Sequence, residues 1–312
     1  RQYAKIDDDK HFDLHLKLYL KKYEKLERLG LAEILDVDDL PYDVVLTDKG
    51  SEIFSEIESL EKEWASKVSC DIDALREMAL ESFEYSYTLG AFPTIELIKN
   101  ASEQVLQVII SPELEDREII TDLCKRYQIP ILESKKQIER LSDKENVYII
   151  GVFHKFEKEL SKDAPHIVLV NPSNMGNLGT IIRTAIGFGI HDIALIEPAA
   201  DIYNPKVVRA SMGALFHMNF HYFESFEEYS AMYKEHEFFP FMLDADKTLV
   251  PDIYRGEKPF SLIFGNEATG LDERFHNYGT SVLIPQSSEV DSLNITVAVA
   301  VASYVFTEGT LK

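Results

Sequence analysis

Cysteine, tryptophan, long apolar runs and basic side chains are all scarce in this 312-residue chain, and each scarcity excludes something. Cys70 and Cys124 lie far apart with no histidine at ligand spacing, so neither a disulfide framework nor a zinc site is indicated. Both read as small buried hydrophobes. His11 and His15 could share a helix face, but no third ligand accompanies them, so no metal is expected. No apolar run approaches the ~18 residues of a membrane span. Together with a 45% hydrophobic and 28% charged composition, this points to a soluble, globular chain. The opening RQYAKIDDDK has neither an apolar signal core nor an initiator methionine, and a cytoplasmic location is expected. The net charge of −22 argues against general affinity for nucleic acid, which needs clustered Lys and Arg. A local basic patch remains compatible with it, and KRYQIPILESKKQIER (125–140) is one candidate beside its plainer reading as a solvated face.

What is present falls into three parts. Residues 1–68 read as a mostly helical extension, with HLKLYLKKYEKLERLGLAEIL as a periodic helix interrupted at Gly30, a short β-type run at PYDVVLTDKG, and a second helix after it. Strand, turn and helix around LTDKG resemble the end of a winged-helix module; a helical docking arm fits equally. Residues 69–158 alternate helices and strands: IDALREMALESFEYSYTLG, PTIELIKN, EDREIITDLCKRY and KKQIERLS as helices, VLQVIIS, IPILE and NVYIIGVF as strands. That alternation implies a small α/β binding module. The polar run FEKELSKDAP (156–165) reads as a linker.

A second α/β unit follows over 164–312. HIVLVN, DIALIEP, HMNFHYF, FPFMLDA, FSLIFG and SVLIPQ read as strands, and NLGTIIRTAIGFG, KVVRASMGAL, ESFEEYSAMYKEH and SLNITVAVAVASYVFTEG as helices. Near-continuous apolar strands between helices imply a mostly parallel sheet covered on both faces, with ligands at the strands' carboxyl ends. Three loops rich in Asn, Ser and Gly stand there: NPSNMGNLG, NEATG and PQSSEVDSLN. Neither G-x-G-x-x-G nor a P-loop is present. On pattern alone the loops could be turns and caps, with Asn177 and Ser292 as N-caps. On the helix after the first loop, Ile181, Ile182, Ala185 and Ile186 can face the sheet, while Gly179, Thr180, Arg183 and Gly187 share another side. Helix-start amides and Arg183 together suit an anionic group such as a phosphate.

NMGNLGTIIRTAIGFG, FGNEATGL and IPQSSEVDSLNITVAVA resemble, in order and spacing, the three motifs of the SpoU (TrmH-like) family of SPOUT RNA methyltransferases. Ala268, Gln286 and Ser288 depart from the usual motif residues. The resemblance implies a C-terminal domain tied in a deep trefoil knot, preceded by a ribosomal-protein-like α/β domain that binds substrate. It implies methyl transfer from S-adenosylmethionine to a ribose 2′-hydroxyl of rRNA, or alternatively tRNA, by a homodimer without metal or membrane; a non-catalytic RNA-binding or ribosome-assembly factor of the same fold is the further alternative. Carried over by motif position, Gly265, Ile284 and Leu293 contact the cofactor, and Asn177, Arg183, Glu267, Ser292 and Asn294 form the catalytic cluster. A guanidinium is a poor base, so Arg183 is expected to act as phosphate clamp and electrostatic stabiliser.

Overall fold

The computed structural model describes residues 32–37, 40–46, 84–142, 146–254 and 258–308. The chain divides into two compact units, Arg1–Leu75 and Arg76–Lys312. In the first, β1 (Ala32–Val37) and β2 (Leu40–Leu46) form an antiparallel hairpin, pairing from Ala32 with Leu46 to Val37 with Leu40 with a register shift between Leu35 and Asp36. The expected helix through LAEIL is thus a strand over Ala32–Val37: an available β-partner overrides a short run of helical spacing. The helices read on either side, His11, His15 and Cys70 lie outside the described residues.

The second unit opens with a four-stranded sheet. It comprises β3 (Tyr85–Tyr87), α1 (Ala91–Ala101), β4 (Val105–Ile110), α2 (Glu118–Tyr127), β5 (Ile131–Glu133), α3 (Lys135–Leu141) and β6 (Ile149–His154), in strand order β3-β6-β4-β5. A helix was expected through FEYSYTLG, but Tyr85–Tyr87 pairs antiparallel with Val152–His154. The Tyr-Ser-Tyr alternation suits a strand with its middle residue buried, and Gly90 at φ 102 turns the chain into α1. Cys124 is buried as expected, and burial pushes its thiol up to about 11. In the basic segment, Lys135 pairs with Glu113, whereas Lys125, Arg126 and Lys136 are exposed.

Residues 156–165 do not form a free linker. Leu160 is buried in the second sheet's core, Lys158 bridges Phe220, and the Ser161 amide donates to the Asp192 carboxylate at 2.7 Å. Two apolar side chains in a mostly polar run seat the segment, Leu160 in one core cluster and Phe156 packed against the other.

Next come β7 (His166–Val170), α4 (Met175–Gly187), β8 (Asp192–Ile196), α5 (Pro205–Ala210), β9 (Asn219–Phe223), α6 (Phe226–Met232) and β10 (Glu237–Pro240). They are followed by β11 (Lys247–Thr248), β12 (Phe260–Phe264), β13 (Val282–Leu283) and α7 (Ile295–Thr307). Five strands pair in the order β10-β12-β7-β8-β9, every ladder parallel. Apolar clusters cover both faces, as continuous apolar strands require. Two strands differ from expectation. The one expected at FPFMLDA ends at Pro240, and SVLIPQ supplies only β13, which pairs with β11 and bridges Phe241.

At the amino edge of this sheet lies a buried polar chain. His166 Nδ1 meets the Tyr229 hydroxyl at 2.8 Å, Tyr229 meets Ser261 at 2.7 Å, and Ser261 meets His236 Nδ1 at 2.9 Å. Burial, with His236 beside it, pushes the His166 imidazole down to about 3. The two sheets are tied together by Ser86 to the Tyr203 carbonyl (2.5 Å), Lys155 to Asp201 (2.5 Å) and His217 to Glu96 (2.8 Å).

Candidate active site

The loop after β7 and the loop after β12 meet on one carboxylate. Glu267 accepts from the Ser173 amide (3.4 Å) and hydroxyl (3.2 Å), the Asn174 amide (3.2 Å) and the Asn177 side-chain amide (3.4 Å). Asn266 reinforces the junction by donating to the Asn171 carbonyl at 2.8 Å. Burial pushes the Glu267 carboxyl up, but the backbone amides of Glu267, Asn174 and Ser173 and the Asn177 amide outweigh it and leave the group below its ordinary value. Glu267 is therefore an anion held by neutral donors.

Asn174 caps α4, its side chain accepting from the Asn177 amide at 3.0 Å, so Asn177 lies inside the first turn rather than at the cap. An anion already stands beside the start of α4: Glu267 accepts from the amides of Ser173 and Asn174, the two residues ahead of the helix, and from the Asn177 side chain. A phosphate is left to Arg183, which is exposed two turns further along, about 9 Å from Asn177 at the usual helical rise. Arg183 makes no ion pair among the described residues. Ile181, Ile182 and Ala185 are buried and Ile186 half-buried, as read from the spacing. Gly179 does not belong to an open face. It is buried against α5, where a Cβ would stand 2.5 Å from the Ala210 Cβ and 2.7 Å from the Val207 carbonyl oxygen. Thr180 and Gly187 are exposed beside Arg183.

The β12 loop turns back on itself, the Gly270 amide donating to the Asn266 carbonyl at 2.8 Å. A Cβ on Gly265 would lie 2.1 Å from the Gly270 carbonyl carbon, so the turn itself demands glycine there. The third loop leads into α7, whose N-cap is Asn294, not Ser292. Asn294 Oδ1 accepts from the Thr296 amide (2.9 Å) and hydroxyl (2.7 Å), which leaves its NH₂ group to donate elsewhere. Ser292 is exposed and Ile284 and Leu293 are half-buried. Phe188 and Tyr304, each near the C-terminal end of its helix, meet edge-on at 6.3 Å where α4 and α7 pack together. Asn177 and Glu267 are thus brought into contact. Arg183, Ser292 and Asn294 make no hydrogen bond to that pair among the described residues.

Three partners of Glu267 and its loop escaped the sequence reading: Ser173, Asn174 and Asn266. Asn174, followed three residues later by a second polar residue before an apolar run, was the only local signal of a cap. Nothing local marks Ser173 or Asn266, whose partners lie more than 90 residues away.

Residues 164–304 match the model of the SpoU rRNA Methylase family. This segment belongs to that family. An uncharacterised tRNA/rRNA methyltransferase of Synechocystis sp. is 32% identical over 141 residues, 44% of this chain and 51% of that protein. The 23S rRNA (adenosine(1067)-2′-O)-methyltransferase of Streptomyces azureus is 26% identical over 193 residues, 59% of this chain and 71% of that one. The chain therefore spans about half the length of the first relative. Among solved structures, the SpoU methyltransferase AviRb of Streptomyces viridochromogenes, in complex with AdoMet, superposes with a TM-score of 0.64 at 20% identity, over 73% of this chain and 91% of that one. An AdoMet-bound rRNA methyltransferase from Sinorhizobium meliloti gives 0.63 at 22%, over 73% and 89%. At these identities the likeness is one of fold. It exceeds the SpoU segment, which is about 45% of the chain and ends eight residues before residue 312, so it takes in residues ahead of 164.

Proposed function

We propose that this chain transfers a methyl group from S-adenosylmethionine to a ribose 2′-hydroxyl of RNA, of rRNA before tRNA. The observation that carries the reading is the clasp of Glu267 on Ser173, Asn174 and Asn177, which joins two of the three SpoU motif loops at the carboxyl edge of a parallel sheet.

The chemistry of the loops fits the cofactor. Residues 265–271 and 284–294 contain no Lys or Arg and three carboxylates, Glu267, Glu289 and Asp291. A phosphate-bearing nucleotide would meet only like charge there, whereas a sulfonium cofactor carries no phosphate and a net positive charge. Ile284 and Leu293 supply half-buried apolar contact, and Gly265 and the turn it permits offer main-chain groups. When bound, the cofactor supplies an electrophilic methyl on a cationic sulfur.

The chain's own groups do the rest. Glu267 holds the two loops in register. Asn177, Ser292 and the free NH₂ group of Asn294 orient the ribose. Arg183 grips the adjacent phosphate and stabilises the oxygen as it loses its proton to phosphate or water. The homodimer belongs to this reading and is supported by Val297, Val301 and Tyr304, a stripe of exposed apolar side chains on α7. So does the knot, supported by a chain that leaves β12, pairs at β13 beyond β10, and returns to lay α7 on α4.

The test is single-turnover methyl transfer to rRNA at saturating labelled cofactor. Arg183→Ala is expected to lower the rate by ~100-fold or more while sparing cofactor affinity, and Arg183→Lys to recover little, because lysine lacks the planar fork. A wild-type protein that binds cofactor but methylates neither rRNA nor tRNA is an assembly factor instead.

A further inference from the structure

A cleft of about 440 Å³ lies at the seam of the two sheets, between the chain leaving β6 and the carboxyl ends of β8 and β9. Phe156 and Tyr222 give it aromatic walls, and Glu157, Glu197, Asp201 and Lys155 give it charge. Its lysine is already matched, Lys155 Nζ standing 2.5 Å from Asp201. The Tyr222 hydroxyl is also engaged, donating to the Ala200 carbonyl at 3.2 Å and accepting from the Ile202 amide at 2.8 Å. Glu157 faces His221 at 3.3 Å. Glu197 is exposed and makes no ion pair among the described residues. The open chemistry of the cleft is therefore a hydrogen-bond acceptor beside aromatic rings, with net negative charge.

The cleft is built onto the motif loop that carries Asn174 and Asn177. The Asn171 amide donates to the Ile196 carbonyl at 3.0 Å and the Ala200 amide to the Pro172 carbonyl at 2.8 Å, so its rim and that loop form one piece of backbone network. A strand of RNA entering the site must lay its neighbouring nucleotides near this rim. Phosphate is repelled by the carboxylates and drawn instead to Arg183. A base has no charge to repel, a flat face for the aromatic walls, and, if it bears an exocyclic amine, an N–H donor for a carboxylate.

Resting on the reading of the chain as an RNA methyltransferase, we propose that this cleft receives an unstacked, amine-bearing base of the substrate RNA, close to the methylated nucleotide, with Glu197 accepting from the amine. It is a specificity pocket: base in the acidic cleft, phosphate on Arg183, ribose between.

Saturation-transfer NMR on the full chain, with S-adenosylhomocysteine saturating the cofactor loops, tests the pocket without any turnover. Cytidine and uridine are the probes, since they differ in amine against carbonyl. Cytidine is expected to give a signal several-fold stronger than uridine. Glu197→Ala, and Ala199→Phe, which fills the cleft, are each expected to abolish that difference. Equal signals from the two nucleosides, a cytidine signal that survives both variants, or a Glu197-dependent signal from spermidine in place of cytidine overturns the proposal. In methyl transfer, Glu197→Ala is expected to raise KM for rRNA ~10-fold at unchanged kcat, the scale of one lost base contact. A wild-type chain without methyl transfer removes the enzymatic reading while the cytidine–uridine contrast still decides the cleft.

Discussion

Gly265 illustrates how much of the site rests on single side chains, or on the lack of one. The sequence marked it through the FGNEATG motif as a cofactor contact. The structure adds a prior constraint, because the returning chain at Gly270 and Leu271 occupies the space a Cβ would need. Even Gly265→Ala must displace backbone rather than a flexible side chain, so the turn opens and with it the Glu267 clasp. Calorimetry is expected to show cofactor binding lost and the thermal midpoint lowered; retained affinity in a folded Gly265→Ala chain would place the cofactor on other loops. The contact of Asn177 with Glu267 joins two residues that the sequence had grouped through motif resemblance. Ser173 and Asn266 were not legible, because their meaning arises only when two distant loops meet.

Among the elements, the strands and helices of the parallel sheet were legible from apolar runs and three-to-four spacing, and α4 shows both the reach and the limit of such patterns. Its buried face was read correctly, yet Gly179 was grouped with Thr180, Arg183 and Gly187 because periodicity cannot see α5 packed against it. Strand β2 was legible as the β-type run at PYDVVL, but its partner β1 and strand β3 were missed for a related reason: short strands are defined by partners, not by their own sequence. The polar chain at the amino edge of the sheet was invisible too, being spread over residues 166, 229, 236 and 261. It has a measurable signature. The folded-state value of His166 is depressed to about 3, well below that of an unfolded histidine, and His236 is lowered as well by burial. As pH falls below ~6.5 the unfolded chain takes up protons that the folded chain refuses, so stability is full at neutral pH and declines toward acid. Urea titrations are expected to show a loss of about 1–2 kcal/mol between pH 6.5 and 5, above the range where most carboxylates titrate. His166→Asn, which keeps hydrogen-bonding capacity without a titrating ring, should flatten that slope; an unchanged slope would assign it to other groups.

The whole chain carries a net charge of −22 against a proposed anionic substrate, the sequence's plainest warning against indiscriminate RNA binding. The proposed contacts must then be few and placed, with Arg183 the one proposed for phosphate. The other global feature is the apolar stripe of α7, where Val297, Val301 and Tyr304 are 46%, 37% and 56% exposed at helical spacing. If a second copy covers it, Val301→Glu should convert a dimer into a monomer in sedimentation, with the monomer's fold intact by circular dichroism. A wild-type monomer at micromolar concentration would leave the stripe to another partner.

The side-by-side packing of α7 on α4 also has a consequence for when the protein becomes active. Residues near 295–307 must find a helix at 175–187, over a hundred positions back, and the strands between them pair only in parallel. Such long-range contacts fold slowly, because loop closure is unfavourable until the distant partners meet. During synthesis, the first two motif loops emerge from the ribosome well before α7. The third motif loop is thus the last to be placed, and a nascent chain can form the cleft beside β8 and β9 before the proposed cofactor site is complete.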